Sequence, residues 1–301
     1  NRELLHRAIL DNRPPSSGWG SVGATKTNVR IGVVHLAESI RLLTNASLHD
    51  IYRGIDTVFL SVFLLGLFAY LRQWVPALYA LVGLMFVGAV LPLTYLMHYF
   101  QPWDRLQLCL WLLVLQTIKA HKPVLLAGAL CVGMLVKFDM LLVPLLHLAS
   151  HASRQSVKRV TVETALLSLL AVCLYFGLDG AFANTGDPAR FNPETAFLRA
   201  SSNLGTINDR GLSHPALLLH GLPLLLALVR FRTRERFLAV GVLFACSMSI
   251  IWYLFTVYAE VRTQAMLLIL LLPPALMTLR EELSPHEGTA GDMTATAERN
   301  P

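Results

Sequence analysis

Residues 55–71 read IDTVFLSVFLLGLFAYL, and Asp56 is the one charged side chain in this run. An α-helix rises about 1.5 Å per residue, so a run of this length nearly crosses the ~30 Å hydrocarbon layer of a membrane. Further largely apolar runs follow at 75–97, 105–118, 161–177, 214–229, 237–257 and 263–279. The pattern predicts an all-α fold, namely a polytopic transmembrane helical bundle that occupies residues 55–280.

The composition agrees with a membrane protein and argues against other classes. The chain of 301 residues is 54% hydrophobic and 15% charged. A soluble domain is about one quarter charged. The net charge of +6 could serve nucleic-acid binding, but the basic residues form short clusters between apolar runs rather than one continuous face. We therefore expect no nucleic-acid partner. The four cysteines fall within apolar segments and indicate neither a disulfide nor a metal site.

Residues 1–54 are predicted to form an extracytoplasmic loop that contains one amphipathic helix. From Asn28 onward, apolar side chains recur at helical spacing, at Val33, Leu36, Ile40 and Leu43. The opposite face carries Glu38, Arg41 and Asn45. This spacing suits a helix that lies in the membrane interface, and a helix packed on the bundle satisfies it equally well. The chain opens in polar sequence at Asn1, so we expect a further transmembrane span before it.

The stretch 123–150 carries Lys137, Phe138 and Asp139 at its middle and allows two interpretations. A single helix would place two ionisable groups near the centre of the bilayer, which costs roughly 2.5–3.5 kcal/mol for each. A short helical hairpin would dip across the membrane and return, with Lys137 and Asp139 at its tip. Only the hairpin puts three basic clusters on one side of the membrane, namely Lys119/Lys122, Arg154/Lys158/Arg159 and Arg230/Arg232/Arg234/Arg236. The positive-inside rule therefore favours the hairpin.

The hairpin topology predicts which segments lie on each side of the membrane. Outside the cytoplasm we expect residues 1–54 and the connecting segments 98–104, 137–139, 178–213 and 258–262. Among these, 178–213 is a long extracytoplasmic loop. Residues 281–301 are rich in Glu, Thr, Gly and Ala and are predicted to form a disordered cytoplasmic tail.

Polar side chains collect at the predicted outer ends of the spans. They are His98, Asp104, Arg105, Lys137, Asp139, Glu260 and Arg262. Each could serve alone as an interfacial anchor, but three such places on one face favour a shared, water-filled cavity. A carboxylate in that cavity could act as a general base, and arginine and lysine suit a phosphate. The ten histidines are dispersed along the sequence, and we expect no metal site.

Together these features resemble bacterial polytopic glycosyltransferases of the GT-C type. The resemblance is carried by Pro-Trp-Asp at 102–104, the polar hairpin tip at 137–139 and Glu-Val-Arg at 260–262 before the final span. Members of that family take a sugar from a polyprenyl-phosphate carrier. They pass it to an envelope glycan, lipid or protein acceptor on the outer face of the cytoplasmic membrane.

The resemblance implies an inverting sugar transfer that needs no cofactor beyond the lipid-linked donor. It assigns catalysis to Asp104, Asp139 and Glu260, and substrate binding to His98, Arg105, Lys137 and Arg262. The catalytic acid of the family usually lies in the first outer loop, after a first span that we expect upstream of Asn1. The candidates for it within this sequence are Asp11, Asp50 and Asp56. Interfacial helices in that loop hold the lipid donor, a role that the helix at 28–45 could fill.

Two other classes of membrane protein compete with this interpretation. A transporter or flippase for a lipid-linked or anionic solute would carry polar residues along a path to the midplane and often shows repeated halves. The apolar runs hold few polar residues, and we find no internal repeat. A protein of the O-antigen polymerase or ligase type would use a large outer loop rich in Arg and His. The loop 178–213 has Arg190, Arg199 and Arg210 but no histidine.

Overall fold

The computed structural model of the chain describes residues 2–11, 31–92, 103–152, 157–182, 198, 200–205, 215–255 and 265–283. Within these ranges the chain forms helices joined by turns, and no strand occurs among them. The prediction of an all-α fold is therefore confirmed. His98, Glu260 and Arg262 lie outside the described residues.

The helices follow one another along the chain with short connections. The N-terminal part contains α1 (Arg2–Leu10), α2 (Ile31–Thr44), α3 (Leu48–Leu71) and α4 (Ala77–Val90). The middle part contains α5 (Asp104–Lys119), α6 (Pro123–Val136), a 3-10 turn (Phe138–Leu142), α7 (Val143–His151) and α8 (Val157–Phe182). The C-terminal part contains α9 (Pro215–Val229), a 3-10 turn (Phe231–Thr233), α10 (Arg236–Phe255) and α11 (Met266–Leu283). Helices α8 and α11 thus continue into the first residues of the predicted loop 178–213 and the predicted tail 281–301.

Helix α3 begins at Leu48, before the apolar run, because local polar groups fix its start. Helix α2 ends just before Asn45, whose φ of 54° is a left-handed conformation that asparagine tolerates better than most residues. Ser47 then caps α3, since its Oγ accepts a hydrogen bond from the Asp50 amide at 3.2 Å and donates one to the Asp50 carboxylate at 2.6 Å. This turn joins the amphipathic segment directly to the first long helix.

Helix α2, the predicted amphipathic helix, packs on its neighbours through one face. The buried residues of that face are Val33, Val34 and Ala37. Gly32 lies so close to α6 that a Cβ there would be 3.1 Å from the Leu135 carbonyl oxygen. The far end of α2 exposes apolar side chains, and Leu43 is 84% exposed. The helix is therefore seated on the bundle and still presents leucines outward.

Helices α3 and α5 run side by side in the same direction. Near their N-termini, Arg105 Nε lies 3.3 Å from Asp56 Oδ1. Near their C-termini, Lys119 Nζ donates a hydrogen bond to Gln73 Oε1 at 2.7 Å. Because the two helices are parallel, the charged residues of their two ends are separated by the length of the bundle.

The bundle therefore has two chemically different ends. We call one the aspartate end, because it holds Asp56, Asp104 and Asp139. We call the other the basic end, because it holds Arg72, Lys119, Arg234 and Arg236. At the basic end the Lys119 ammonium lies 3.6 Å from the centroid of the Trp74 ring, which stacks on Phe237 at 6.1 Å. These contacts bring the start of α10 beside the ends of α3 and α5.

Helix α11 forms the centre of the bundle. Every residue from Met266 to Leu276 is buried, as expected for a helix that is apolar on all sides. At the basic end, Arg234 joins α11 to the turn between α9 and α10. Its Nη1 lies 2.5 Å from Glu281 Oε1, and its Nη2 donates to Thr278 Oγ1 at 2.7 Å.

The stretch 123–150 consists of two antiparallel helices, so the alternative of one continuous helix is wrong. Helix α6 ends before Lys137, which is extended (φ −165°, ψ 139°) and breaks the helix. The 3-10 turn then reverses the chain, and α7 returns with Pro144 in its first turn, where a missing N–H is tolerated. At the other end of this hairpin, the ring centroids of His121 and His151 lie 4.6 Å apart.

The described residues contain two helices that are long and apolar enough to cross a membrane. They are Leu48–Leu71 and Val157–Ala181, and only 28% and 17% of their most apolar windows are buried inside the protein. Shorter apolar helices occupy much of the other predicted spans. Large apolar side chains such as Leu65 and Met85 face outward. Exposed apolar surface of this kind indicates contact with lipid or protein. The number of membrane crossings stays a prediction.

Packing inside the hairpin can be tested at Gly133. A Cβ on this residue would lie 2.7 Å from Cγ of the buried Met140, whereas a Cβ on Gly128 of the same helix meets nothing within 4 Å. We expect Gly133→Ala to lower the free energy of unfolding by about 1–3 kcal/mol, as overpacking usually does. Gly128→Ala is the control, which should be neutral or stabilising because alanine favours helix. Thermal unfolding in detergent compares the two, and equal midpoints would contradict this packing.

Candidate functional site

Three segments bring polar side chains together at the aspartate end. The contributing segments are the third turn of α3, the first turn of α5 and the hairpin tip. We call this group the polar cluster, and its members are Asp56, Asp104, Arg105, Gln107, Lys137 and Asp139. In four of them, Asp104, Arg105, Gln107 and Lys137, at most 8% of the surface is exposed. Charged groups buried to this degree are stable only when they are paired and hydrogen-bonded.

Gln107 connects α5 to the hairpin tip. Lys137 Nζ donates a hydrogen bond to Gln107 Oε1 at 2.8 Å, and Gln107 Nε2 donates one to Asp139 Oδ2. Lys137 Nζ also lies 3.9 Å from the same carboxylate oxygen. The amide therefore satisfies the cation with its carbonyl oxygen and the anion with its N–H group. No apolar side chain could do both.

Arg105 connects α5 to α3 through its ion pair with Asp56. The pair is formed by Nε, at 3.3 Å from Asp56 Oδ1, and both side chains are at least partly shielded from solvent. A guanidinium has five N–H donors in a planar fork, so this contact uses only one of them. Of the three candidate acids Asp11, Asp50 and Asp56, the contact with Arg105 brings Asp56 to the polar cluster. Asp50 instead belongs to the cap of α3.

The charges of the polar cluster are not balanced among its described members. Three aspartates share the site with one arginine and one lysine, so the cluster is net negative when every group is ionised. An ionised carboxylate in such a cluster can accept a proton, which is what a general base must do.

The predicted site residues divide into two sets. Arg105, Lys137 and Asp139 make the contacts of the polar cluster, and Asp104, buried in the same first turn of α5, is assigned to it by its spacing of three residues from Gln107. His98, Glu260 and Arg262 lie outside the described residues, so their place in the site stays a prediction. The sequence interpretation missed Gln107. Its spacing of three residues from Asp104 was the available signal, since side chains so spaced share one face of a helix.

Helices α1, α2 and α3 are joined by a polar clamp around Glu38. Arg41 donates to its two carboxylate oxygens at 2.8 and 2.6 Å, and His6 Nε2 lies 3.0 Å from Oε2. The other ring nitrogen of His6 is 2.8 Å from the Tyr52 hydroxyl on α3. The hydrogen bonds from Arg41, and then from His6, lower the pKa of Glu38 to about 2. The carboxylate is therefore ionised at neutral pH and fixes α1 and α2 on the bundle.

A second group of titratable side chains lies at the basic end. The ligand nitrogens of His121, His147 and His151 all lie within 4.8 Å of one another. The sequence interpretation treated the histidines as dispersed, whereas the structure brings these three together. The expectation of no metal site itself stays a prediction. His147 and His151 are four residues apart on α7 and share a helix face. His121 joins them because the hairpin brings α7 back to the turn where α6 begins.

No protein-family model matches the sequence. A search of curated proteins finds no match, and a search of solved structures finds none. A functional proposal for this chain therefore rests on its own residues and their geometry.

The link between α5 and the hairpin tip can be tested with Gln107→Leu. This substitution keeps a side chain of similar size but removes both hydrogen bonds, so Lys137 and Asp139 each lose a buried partner. We expect the free energy of unfolding to fall by about 1–3 kcal/mol, the usual penalty for such a loss. Gln116→Leu, the same exchange at a half-buried position of α5, is the matched control. Thermal unfolding in detergent provides the comparison, and an equal loss in both variants would argue against the bridge.

Proposed function

We propose that this chain is a multi-pass protein of the bacterial cytoplasmic membrane and a glycosyltransferase. It would move a sugar from a polyprenyl-phosphate carrier to an envelope glycan, lipid or protein acceptor. The observation that carries the proposal is the buried polar cluster at the aspartate end. It supplies carboxylates and cations, the two kinds of group that this reaction needs, in one site at the end of an apolar bundle.

Charge supports one orientation of this bundle in the membrane. Basic residues between spans are retained on the cytoplasmic side, so the basic end faces the cytoplasm and the aspartate end faces outward. Helix α2 contacts the hairpin close to its tip, and its exposed leucines then lie at the outer interface. An amphipathic helix in that position can hold the long lipid chain of the donor beside the polar cluster.

In the proposed reaction the acceptor hydroxyl attacks the anomeric carbon of the sugar. A carboxylate of Asp104, Asp139 or Glu260 takes the hydroxyl proton. The bond between the anomeric carbon and the phosphate oxygen breaks, and its electron pair leaves with the polyprenyl phosphate. Because attack and departure occur on opposite faces, the anomeric configuration inverts. Lys137 and Arg262 stabilise the departing phosphate, since fixed cations contribute most where charge develops.

The ion pairs of the polar cluster suit such a cycle. Lys137 is held in place by Gln107 and by Asp139 before any substrate arrives. A donor phosphate would compete with Asp139 for this lysine. Once Lys137 pairs with the phosphate, Asp139 loses a neighbouring cation, and its affinity for a proton rises. Donor binding would thereby prepare a carboxylate to accept the proton of the acceptor.

Cysteine labelling tests the proposed orientation. His49, at the start of α3, and Ala120, after the end of α5, are both exposed. In intact cells a membrane-impermeant maleimide should label His49→Cys, whereas Ala120→Cys should react only after permeabilisation. The parent chain, with its native cysteines, gives the background signal. Labelling of Ala120→Cys in intact cells would overturn the orientation.

Substitution of the carboxylates tests the transfer reaction in cells that express the full gene. The variants are Asp104→Asn, Asp139→Asn and Glu260→Gln. Loss of a general base typically lowers a rate by about 10²–10⁴-fold, so we expect at least one variant to lower the glycosylated product about 100-fold. Arg53→Gln, an exposed change on α3 one turn before Asp56, is the control. The proposal would be wrong if all three variants made a normal amount of glycosylated product while present in the membrane at normal abundance.

The same strains separate transfer from transport. A transferase defect leaves the lipid-linked donor on the outer leaflet, because the donor arrives there and is not consumed. A transporter or flippase defect leaves it on the inner leaflet. Donor that accumulates on the inner leaflet would therefore contradict a transferase.

A further inference from the structure

Four metal-ligating side chains converge at the basic end, at the opposite end of the hairpin from the polar cluster. His121 lies in the turn between α5 and α6, His147 and His151 lie on α7, and Glu163 lies on α8. The ligand nitrogens of the three histidines are within 4.8 Å of one another. Glu163 Oε2 completes the group, at 3.5 Å from His121 Nε2 and 3.4 Å from His147 Nε2.

Several ligand atoms of His121, His147 and Glu163 lack ordinary hydrogen bonds among the described residues. Both ring nitrogens of His121 and of His147 are buried, and they have no hydrogen-bond partner among the described residues. The same holds for Glu163 Oε2. Buried polar atoms in proteins nearly always have a partner. Three side chains in this condition, directed at one another, indicate a ligand that all of them can bind.

The two distances from Glu163 to the histidines fit a shared metal ion better than hydrogen bonds, and the three histidine nitrogens, which lie within 4.8 Å of one another, need a small closing movement to share it. A hydrogen bond from a ring nitrogen to a carboxylate oxygen spans about 2.7–3.2 Å. The separations here are 3.4 and 3.5 Å. A tetrahedral Zn²⁺ holds nitrogen and oxygen ligands at about 2.0–2.2 Å, which places neighbouring donor atoms roughly 3.3–3.6 Å apart.

Outer contacts orient two of the ligands. His151 Nδ1 donates a hydrogen bond to the His147 carbonyl oxygen at 3.1 Å, which selects the tautomer whose Nε2 carries the lone pair. Arg159 Nε donates to Glu163 Oε1 at 2.9 Å and so directs Oε2 toward the histidines. Metal-binding histidines and carboxylates are characteristically held by such contacts.

The backbone of His121 supplies a separate observation. Its φ of 50° is in the left-handed region, and it ends α5 in a Schellman motif. In that motif the His121 amide donates to the Ile118 carbonyl at 2.9 Å and the Lys122 amide donates to the Thr117 carbonyl at 2.9 Å. Glycine normally occupies this position, because a side chain strains the backbone there. A histidine that must reach a ligand accounts for the exception.

We propose that His121, His147, His151 and Glu163 form a structural Zn²⁺ site. Imidazole and carboxylate ligands suit Zn²⁺, and four of them complete a tetrahedron without an open position for substrate. The ion ties the end of α5, the returning helix α7 and the start of α8 into one unit. The site shares no residue with the polar cluster. A test of the metal site is therefore independent of the proposed glycosyltransferase activity.

Metal content tests the site in the purified full-length chain, after removal of any affinity tag. Chain stripped with EDTA and then equilibrated with Zn²⁺ should retain about one Zn²⁺, and Co²⁺ in its place should give the intense visible absorption of tetrahedral coordination. His147→Ala should lose both signals. His220→Ala, which removes a buried histidine from α9, is the matched control and should keep them. The proposal would be wrong if the parent chain bound no Zn²⁺, or if the His147→Ala variant still bound it.

His121→Gly separates loss of a ligand from loss of the fold. Glycine is the residue that the left-handed position favours, so the metal-free variant should unfold at a temperature equal to or above that of the metal-free parent. Its affinity for Zn²⁺ should nevertheless fall at least about tenfold, and added Zn²⁺ should raise the unfolding temperature of the parent much more than that of the variant. Equal Zn²⁺ affinity in the two chains would exclude His121 as a ligand and contradict the site.

Discussion

The hydrogen bonds that Gln107 makes to Lys137 and Asp139 hold the hairpin at the point where the chain reverses. Lys137 is extended and cannot continue α6, so the tip depends on side chains for its position. Because the tip is buried, each of these bonds replaces water that the charged groups have given up. The reversal places Lys137 and Asp139 beside α5 at one end and returns α7 to His121 at the other. The polar cluster and the group of three histidines both follow from it.

The separation of charge between the two ends has a simple origin in chain direction. Helices α3 and α5 are parallel, so Asp56 meets Arg105 at one end while Gln73 meets Lys119 at the other. The core between the ends is apolar, with α11 enclosed on all sides. In the part of the chain that the structure describes, charged side chains are therefore excluded from the middle of the bundle. They collect where pairing, hydrogen bonding or solvent can stabilise them.

The sequence predicts these features to different degrees, and the differences have physical reasons. The hairpin is predictable because Lys137 and Asp139 would be costly inside a continuous apolar helix. Gln107 is harder to predict: its spacing of three residues from Asp104 places it on the same helix face, but its role as a bridge depends on the tip lying beside it. The pair His147 and His151 has a helical spacing of four residues that the sequence interpretation overlooked. The addition of His121 and Glu163 depends on tertiary packing, which the spacing of residues along the chain does not reveal.

The two ends of the hairpin differ in the kind of attachment they use, and this difference bears on the proposed chemistry. At the tip, Lys137 is held by an amide and a carboxylate, and an anionic ligand can compete for it. At the other end, the proposed metal ion is bound by His121, His147 and Glu163. Substrate binding at the tip does not require the release of this ion. If the tip adjusts to a phosphate, the base of the hairpin can stay fixed. Displacement of Lys137 and Asp139 is then confined to the polar cluster, where it changes the proton affinity of a carboxylate.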